Sequence, residues 1–156
     1  MLSKMESEII SNFPRNVKED FLKVPEDVLK CACEIRFRVG QPGLISCFQE
    51  EFFLSNKIST EDILRLIENF SDNSIYSIQN EMNSGFITIK GGHRIGISGT
   101  SIFENGIIKN MKYISSLNIR IAREVKNCGV DVLNQVLKNH QGNFENTLIV
   151  SPPRLR

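Results

Sequence analysis

Between Gly85 and Val125 the chain alternates apolar and polar residues, broken twice by turn dipeptides, and that pattern leaves few folds open. In FITIK-GG-HRIGISG the Gly91-Gly92 pair separates two alternating runs, and in SIFE-NG-IIKNM Asn105-Gly106 does the same. Such dipeptides supply the positive-φ positions of the tight turns whose twist suits a β-hairpin. SLNIRIAREV follows as a further strand, with Leu117, Ile119 and Ile121 on one face and Asn118, Arg120 and Ala122 on the other. The spacing therefore predicts an antiparallel β-meander with one buried face.

The helices needed to cover that face come from earlier in the chain. SKMESEIISNF sets Met5, Ile9, Ile10 and Phe13 at helical spacing and stops at Pro14. NVKEDFLKV repeats the pattern with Val17, Phe21 and Val24, and Pro25 suits the first turn of PEDVLKCA. In STEDILRLIENF, Ser59 and Asp62 form a capping box ahead of Ile63, Leu66, Ile67 and Phe70 at i, i+3, i+4 and i+7. SIYSIQNEM carries Ile75, Ile78 and Met82 on one stripe and ends at Gly85. Between these helical segments, Cys33, Ile35, Phe37 and Val39 alternate with Glu34, Arg36 and Arg38 as one strand, and Leu44 to Phe48 returns as a second after the Gly40-Gln41-Pro42-Gly43 turn. The expected class is α+β.

After Val125 the character changes. KNCGVDVLNQVLKNHQGN reads as a short helix bearing Val132, Leu133, Val136 and Leu137 and ending at Gly142, and Thr147 to Val150 reads as a strand. These features predict a domain over residues 1–125 and, over 126–156, a linker plus the first helix and strand of a different α/β unit. A length of 156 residues suits one domain or one domain plus a fragment. With 40% apolar and 24% charged residues, no apolar run near ~20 residues and no leader-like N-terminus, the composition points to a soluble cytoplasmic chain.

Chemistry-bearing residues are sparse. Cys31, Cys33, Cys47 and Cys128, with His93 and His140, lack the spacing of a zinc site, so the cysteines are expected as reduced, packed thiols. His93 has no evident catalytic partner and is expected as a polar hairpin residue. Gly91, Gly92, Gly96 and Gly99 admit a phosphate cradle, but no strand-to-helix transition follows them. A net charge of +1 leaves nucleic acid open, and Lys109, Lys112, Arg120, Arg123 and Lys126 against Glu124 form one candidate anion-facing stretch. Arg36 and Arg38 share a strand face, and Arg120 is expected on one strand with Arg123. A rigid strand supports a guanidinium that must meet a phosphate, although most surface arginines are merely solvated.

EIRFRVGQPG, GFITIKGGHRIGISG, SSLNIRIAREV and NTLIVSPP, in this order and spacing, resemble the stage III sporulation protein AA family of endospore-forming bacteria, from about residue 30 to Pro153. That family is similar to the hexameric ATPases of type II and type IV secretion, in which a PAS-like domain precedes a RecA-like motor. The resemblance implies a PAS-like N-terminal domain with covering helices, followed by the start of a truncated RecA-like domain. Family members continue past Ser-Pro-Pro with a Cys-Gly-Lys-Thr-Thr loop, whereas this chain has Arg154, Leu155 and Arg156. Without that loop's glycines, lysine and hydroxyls, and without a Walker B region, the chain is expected to be inactive alone, ATP and Mg²⁺ belonging to the parent protein. The resemblance implies a regulatory or oligomerising role in an ATPase that powers the channel between mother cell and forespore. It also implies self-association as a hexamer, inner-membrane channel proteins as partners, and a peripheral place at the mother cell's inner membrane. Arg94, Arg120 and Arg123 are the positions matching arginines that approach nucleotide. The alternatives are a nucleic-acid-binding module or an adaptor for a membrane partner, without catalysis.

Overall fold

The computed structural model describes residues 8–47, 50–71, 78–123, 126–133, 148 and 150. The chain divides into two compact units, Met1–Ala122 and Arg123–Arg156.

The first unit is α+β. Six strands, β1 (Glu34–Arg38), β2 (Pro42–Ser46), β3 (Glu51–Lys57), β4 (Phe86–Ile89), β5 (His93–Glu104) and β6 (Ile107–Arg120), form one sheet in the order β3-β2-β1-β6-β5-β4. Every strand pairing is antiparallel. Two three-stranded meanders thus meet where β1 lies against β6. The helices are α1 (Arg15–Phe21), α2 (Glu26–Cys31), α3 (Thr60–Phe70) and α4 (Gln79–Asn83), with a 3-10 turn at Ile10–Asn12.

Strand alternation sorts the two faces. Ile35, Phe37, Ile45, Leu54, Ile87, Ile95, Ile97, Leu117 and Ile119 are buried, and with Ile9, Phe13, Val17, Phe21, Ile63, Leu66, Ile67 and Met82 they make one core. Phe13 sits edge-on to Phe21, Phe37 and Phe70, with ring centroids 4.9, 5.3 and 6.3 Å apart, the geometry aromatic quadrupoles prefer.

Local chemistry sets the helix ends. The predicted capping box is present: Ser59 Oγ accepts from the Asp62 N–H at 3.1 Å, and Asp62 Oδ2 accepts from the Ser59 N–H at 2.9 Å. Asp62 also accepts from Asn16 at 2.8 Å, which ties α1 to α3. Burial alone would push the Asp62 carboxyl up, but the Ser59 hydroxyl and amide, Asn16 and the Arg65 charge hold it below its ordinary value. Buried Asp20 accepts from the Asn56 N–H at 2.8 Å, pinning β3 to α1.

Several expectations change. The chain enters β3 at Glu51, in a segment where no strand is expected from the sequence. It is an edge strand in which only Leu54 is buried, so it lacks a period-2 signal. The runs expected as separate strands between Ile107 and Val125 fuse into the single 14-residue β6, which ends at Arg120, so Arg123 lies beyond it. Tyr113, at φ 49, interrupts the alternation within β6, as the register shift between Ser98 and Thr100 does within β5. Pro25 occupies the N-cap of α2 rather than its first turn. Cys31 and Cys47 are joined as a disulfide rather than reduced, linking the end of α2 to the end of β2, while Cys33 and Cys128 are free. The glycine cradle is absent: Gly91 and Gly92 form the β4–β5 turn, and Gly96 and Gly99 lie inside β5.

In the second unit, Leu133 N–H bonds Gly129 O at 2.8 Å, a first helical turn. The expected helix positions Val136 and Leu137 and most of the expected 147–150 strand lie outside the described residues, as do Met5 and Ile75. Leu148 and Val150 are both exposed, at 86% and 83%.

Candidate functional site

The sheet face opposite the core carries the strands' other set of side chains, and register places arginines side by side there. Arg120 on β6 is the cross-strand partner of Glu34 on β1 and of Arg94 on β5, and Arg94 is the partner of Thr88 on β4. Cross-strand partners lie about 5 Å apart at Cα, within reach of long side chains. The next row runs Phe53, Leu44, Arg36, Asn118, Gly96, Phe86, and beyond it Arg38 is paired with Ser116 and Ser116 with Ser98. Four arginines thus occupy three adjoining rows on one face.

Two of them are held in place. Arg36 donates from Nη2 to Glu34 Oε2 at 2.7 Å and lies 3.9 Å from Glu51. The Arg94 guanidinium lies 4.5 Å from the centroid of the Phe86 ring, a cation–π contact that orients it without neutralising it. Glu34 and, through its register partner Ser46, Glu51 supply counter-charge on this face. Burial would push the Glu34 carboxyl up, but hydrogen bonds from Arg36 and Asn118, with the charges of Arg36 and Arg120, hold it below the ordinary value. The same pairing raises Arg36. Asn118 Oδ1 is buried and has no hydrogen-bond partner among the described residues. Gly96 opposite it leaves the surface low, its added Cβ coming no nearer than 3.8 Å to Asn118.

Of the arginines expected at the site, Arg94 and Arg120 are brought together as direct neighbours. Arg123 lies beyond the end of β6, in the second unit. Glu34, Asn118 and Phe86 complete the site and were not singled out from the sequence. The Glu34, Arg36, Arg38 alternation could have flagged Glu34, but Phe86 and Asn118 join only through register. Among the basic stretch, Lys109 is paired with Glu104 at 3.5 Å, away from the row.

The row suits anion recognition: planar guanidiniums offer paired donors that match phosphate or carboxylate oxygens. Among the described residues no cluster of three or more His, Cys, Asp or Glu could hold a metal ion.

The family pattern described as sporulation stage III, protein AA matches residues 7–156. The chain is 32% identical over 148 residues to the stage III sporulation protein AA of Bacillus subtilis (strain 168), covering 95% of this chain and 47% of that protein. It therefore spans about half the length of the curated relative it matches. No solved structure matches. On the extent of both matches, the chain belongs to the sporulation stage III protein AA family.

Proposed function

We propose that the chain serves sporulation as the regulatory and oligomerising N-terminal part of a secretion-type ATPase. In this reading the first unit is PAS-like, and the second begins a RecA-like motor that binds ATP and Mg²⁺ in the longer protein. The motor assembles as a hexamer at the mother cell's inner membrane and powers the channel to the forespore with membrane-embedded partners. Family membership supports the sporulation role. The observation that carries the rest is the exposed Arg94–Arg120 cross-strand pair. Transferring a γ-phosphoryl group builds charge on its oxygens, and a cation delivered from outside the P-loop, across a subunit interface, stabilises it. Among the described residues no helix is long and apolar enough to cross a membrane, which is compatible with peripheral attachment.

The test uses this sequence joined to a complete motor. Arg94→Ala and Arg120→Ala, alone and together, lower ATP turnover tenfold or more in the double variant while leaving the unfolding midpoint of the first unit within error. Unchanged turnover in the double variant removes the arginine role.

Nucleic-acid binding is the second reading, supported by the basic residues of β6 and exposed Tyr113. Binding of single-stranded DNA that weakens steeply with salt would favour it over the ATPase reading.

A further inference from the structure

His93 is a residue of the β4–β5 hairpin, as expected, but it is only 2% exposed. Its two ring nitrogens meet different partners. The Ala122 N–H donates to Nδ1 at 2.9 Å, and Nε2 lies 3.2 Å from Glu8 Oε2. A nitrogen that accepts from a backbone amide carries no proton, so the hydrogen of the neutral ring sits on Nε2 and is donated to Glu8. One imidazole thereby joins three distant pieces of chain: the segment before the first helical turn, the β4–β5 turn and the last residue of the first unit.

The surroundings are shaped to this arrangement. Gly91 has φ +89, and a Cβ there would fall on Glu8 Oε2 and within 2.8 Å of His93 Nε2. Gly92 leaves Ala122 in ordinary contact, its added Cβ lying 3.9 Å from the alanine methyl. The neighbouring Ile121 N–H is held independently, donating to Cys33 O at 2.9 Å.

We propose that His93 is an acid-operated latch on the end of the first unit. Taking up a proton from solvent at Nδ1 turns the ring into a donor at both nitrogens. The Ala122 N–H then faces another N–H and loses its acceptor, while the bond to Glu8 gains opposite charge and tightens. The ring stays anchored as the chain end is released, so the unit lets go at Ala122 without unfolding. Glu8 is the titratable group within hydrogen-bond reach of the ring among the described residues, and Lys90 lines the cleft beside Glu8. Arg94 and Arg120 alternate to the opposite face of the sheet.

Nitrogen-15 spectra of the full chain test this directly, with His140→Gln separating the two imidazoles. Near neutrality, His93 is expected as the Nε2–H tautomer with a protected Ala122 amide. As the ring titrates, protection of Ala122 relative to Ile121 falls about fivefold or more, the loss of one hydrogen bond. Glu8→Gln keeps an acceptor for Nε2–H, so the same tautomer and the protected Ala122 amide are expected near neutrality. An Nδ1–H tautomer at neutral pH, a constant Ala122 to Ile121 ratio through the titration, or an unprotected Ala122 amide in Glu8→Gln near neutrality overturns the latch.

Discussion

The β5–β6 hairpin behaves differently in its two halves. From His93 to Ile97 and from Leu117 to Arg120 it lies inside the six-stranded sheet, flanked by β4 and β1, and every second residue is buried. Ile95 and Ile119 are fully inaccessible. Past Ser98 and Ser116 neither outer strand continues alongside, and the same two strands run on as an arm. There Phe103, Ile107 and Tyr113 are 64%, 71% and 83% exposed. Helix α4 supports the arm by polar contacts, Gln79 to Asn110 at 3.1 Å and Asn83 to Lys109 O at 3.0 Å. Alternation in sequence gives a strand its two faces, but only a neighbouring layer turns one of them into core.

The largest separation between the halves comes from truncating apolar residues. Leu117→Ala or Ile119→Ala should lower unfolding free energy in urea by about 2–5 kcal/mol through lost burial and a cavity. Phe103→Ala or Ile107→Ala should stay within about 0.5 kcal/mol. Comparable losses in both halves would erase the distinction. The junction comes next. A Cβ on Gly99 would lie 2.8 Å from Lys112 O and 3.0 Å from Ile114 Cα, both backbone, so Gly99→Ala should cost about 1–3 kcal/mol. In the arm's turn, Gly106 has φ +78 and open space, and Gly106→Ala should cost about 1 kcal/mol from backbone conformation alone.

Ser59→Ala probes the layer that covers the sheet, where loss of the cap should cost about 1 kcal/mol by the same measurement. The smallest effect is that of acid. The carboxyls of Glu34 and Asp62 are lowered in the fold, from ordinary values of 4.5 and 3.8. Their contribution is complete above those values and drains away as pH falls through the lower folded ones. Amide exchange in acid should therefore loosen β1 and α3 before the arm, which contains neither group. Uniform loosening would break the comparison.

What could be read from the sequence was local. Ser59 with Asp62, Gly91-Gly92 and Asn105-Gly106 act within a few residues, so their chemistry is visible in the string. β3 was hidden because an edge strand buries little, and the continuity of β5 and β6 was hidden because bulges break period two. The site was legible in its arginines but not in its arrangement. Arg94 and Arg120 are 26 positions apart and become neighbours through register, which no single segment encodes. His93 meets Glu8 across 85 positions and Cys31 meets Cys47 across 16, pairings that depend on the assembled sheet and the helices packed on it.

The seam between β1 and β6 sets an order of events as the chain emerges from the ribosome. Each meander closes through short turns among residues close in sequence, but Glu34–Arg38 must wait for Ser116–Arg120. At about 5–20 residues per second, the leading strand spends several seconds with one edge bare before its partner is made. Joining two preformed halves at their centre is a long-range closure, the kind of step that slows folding most.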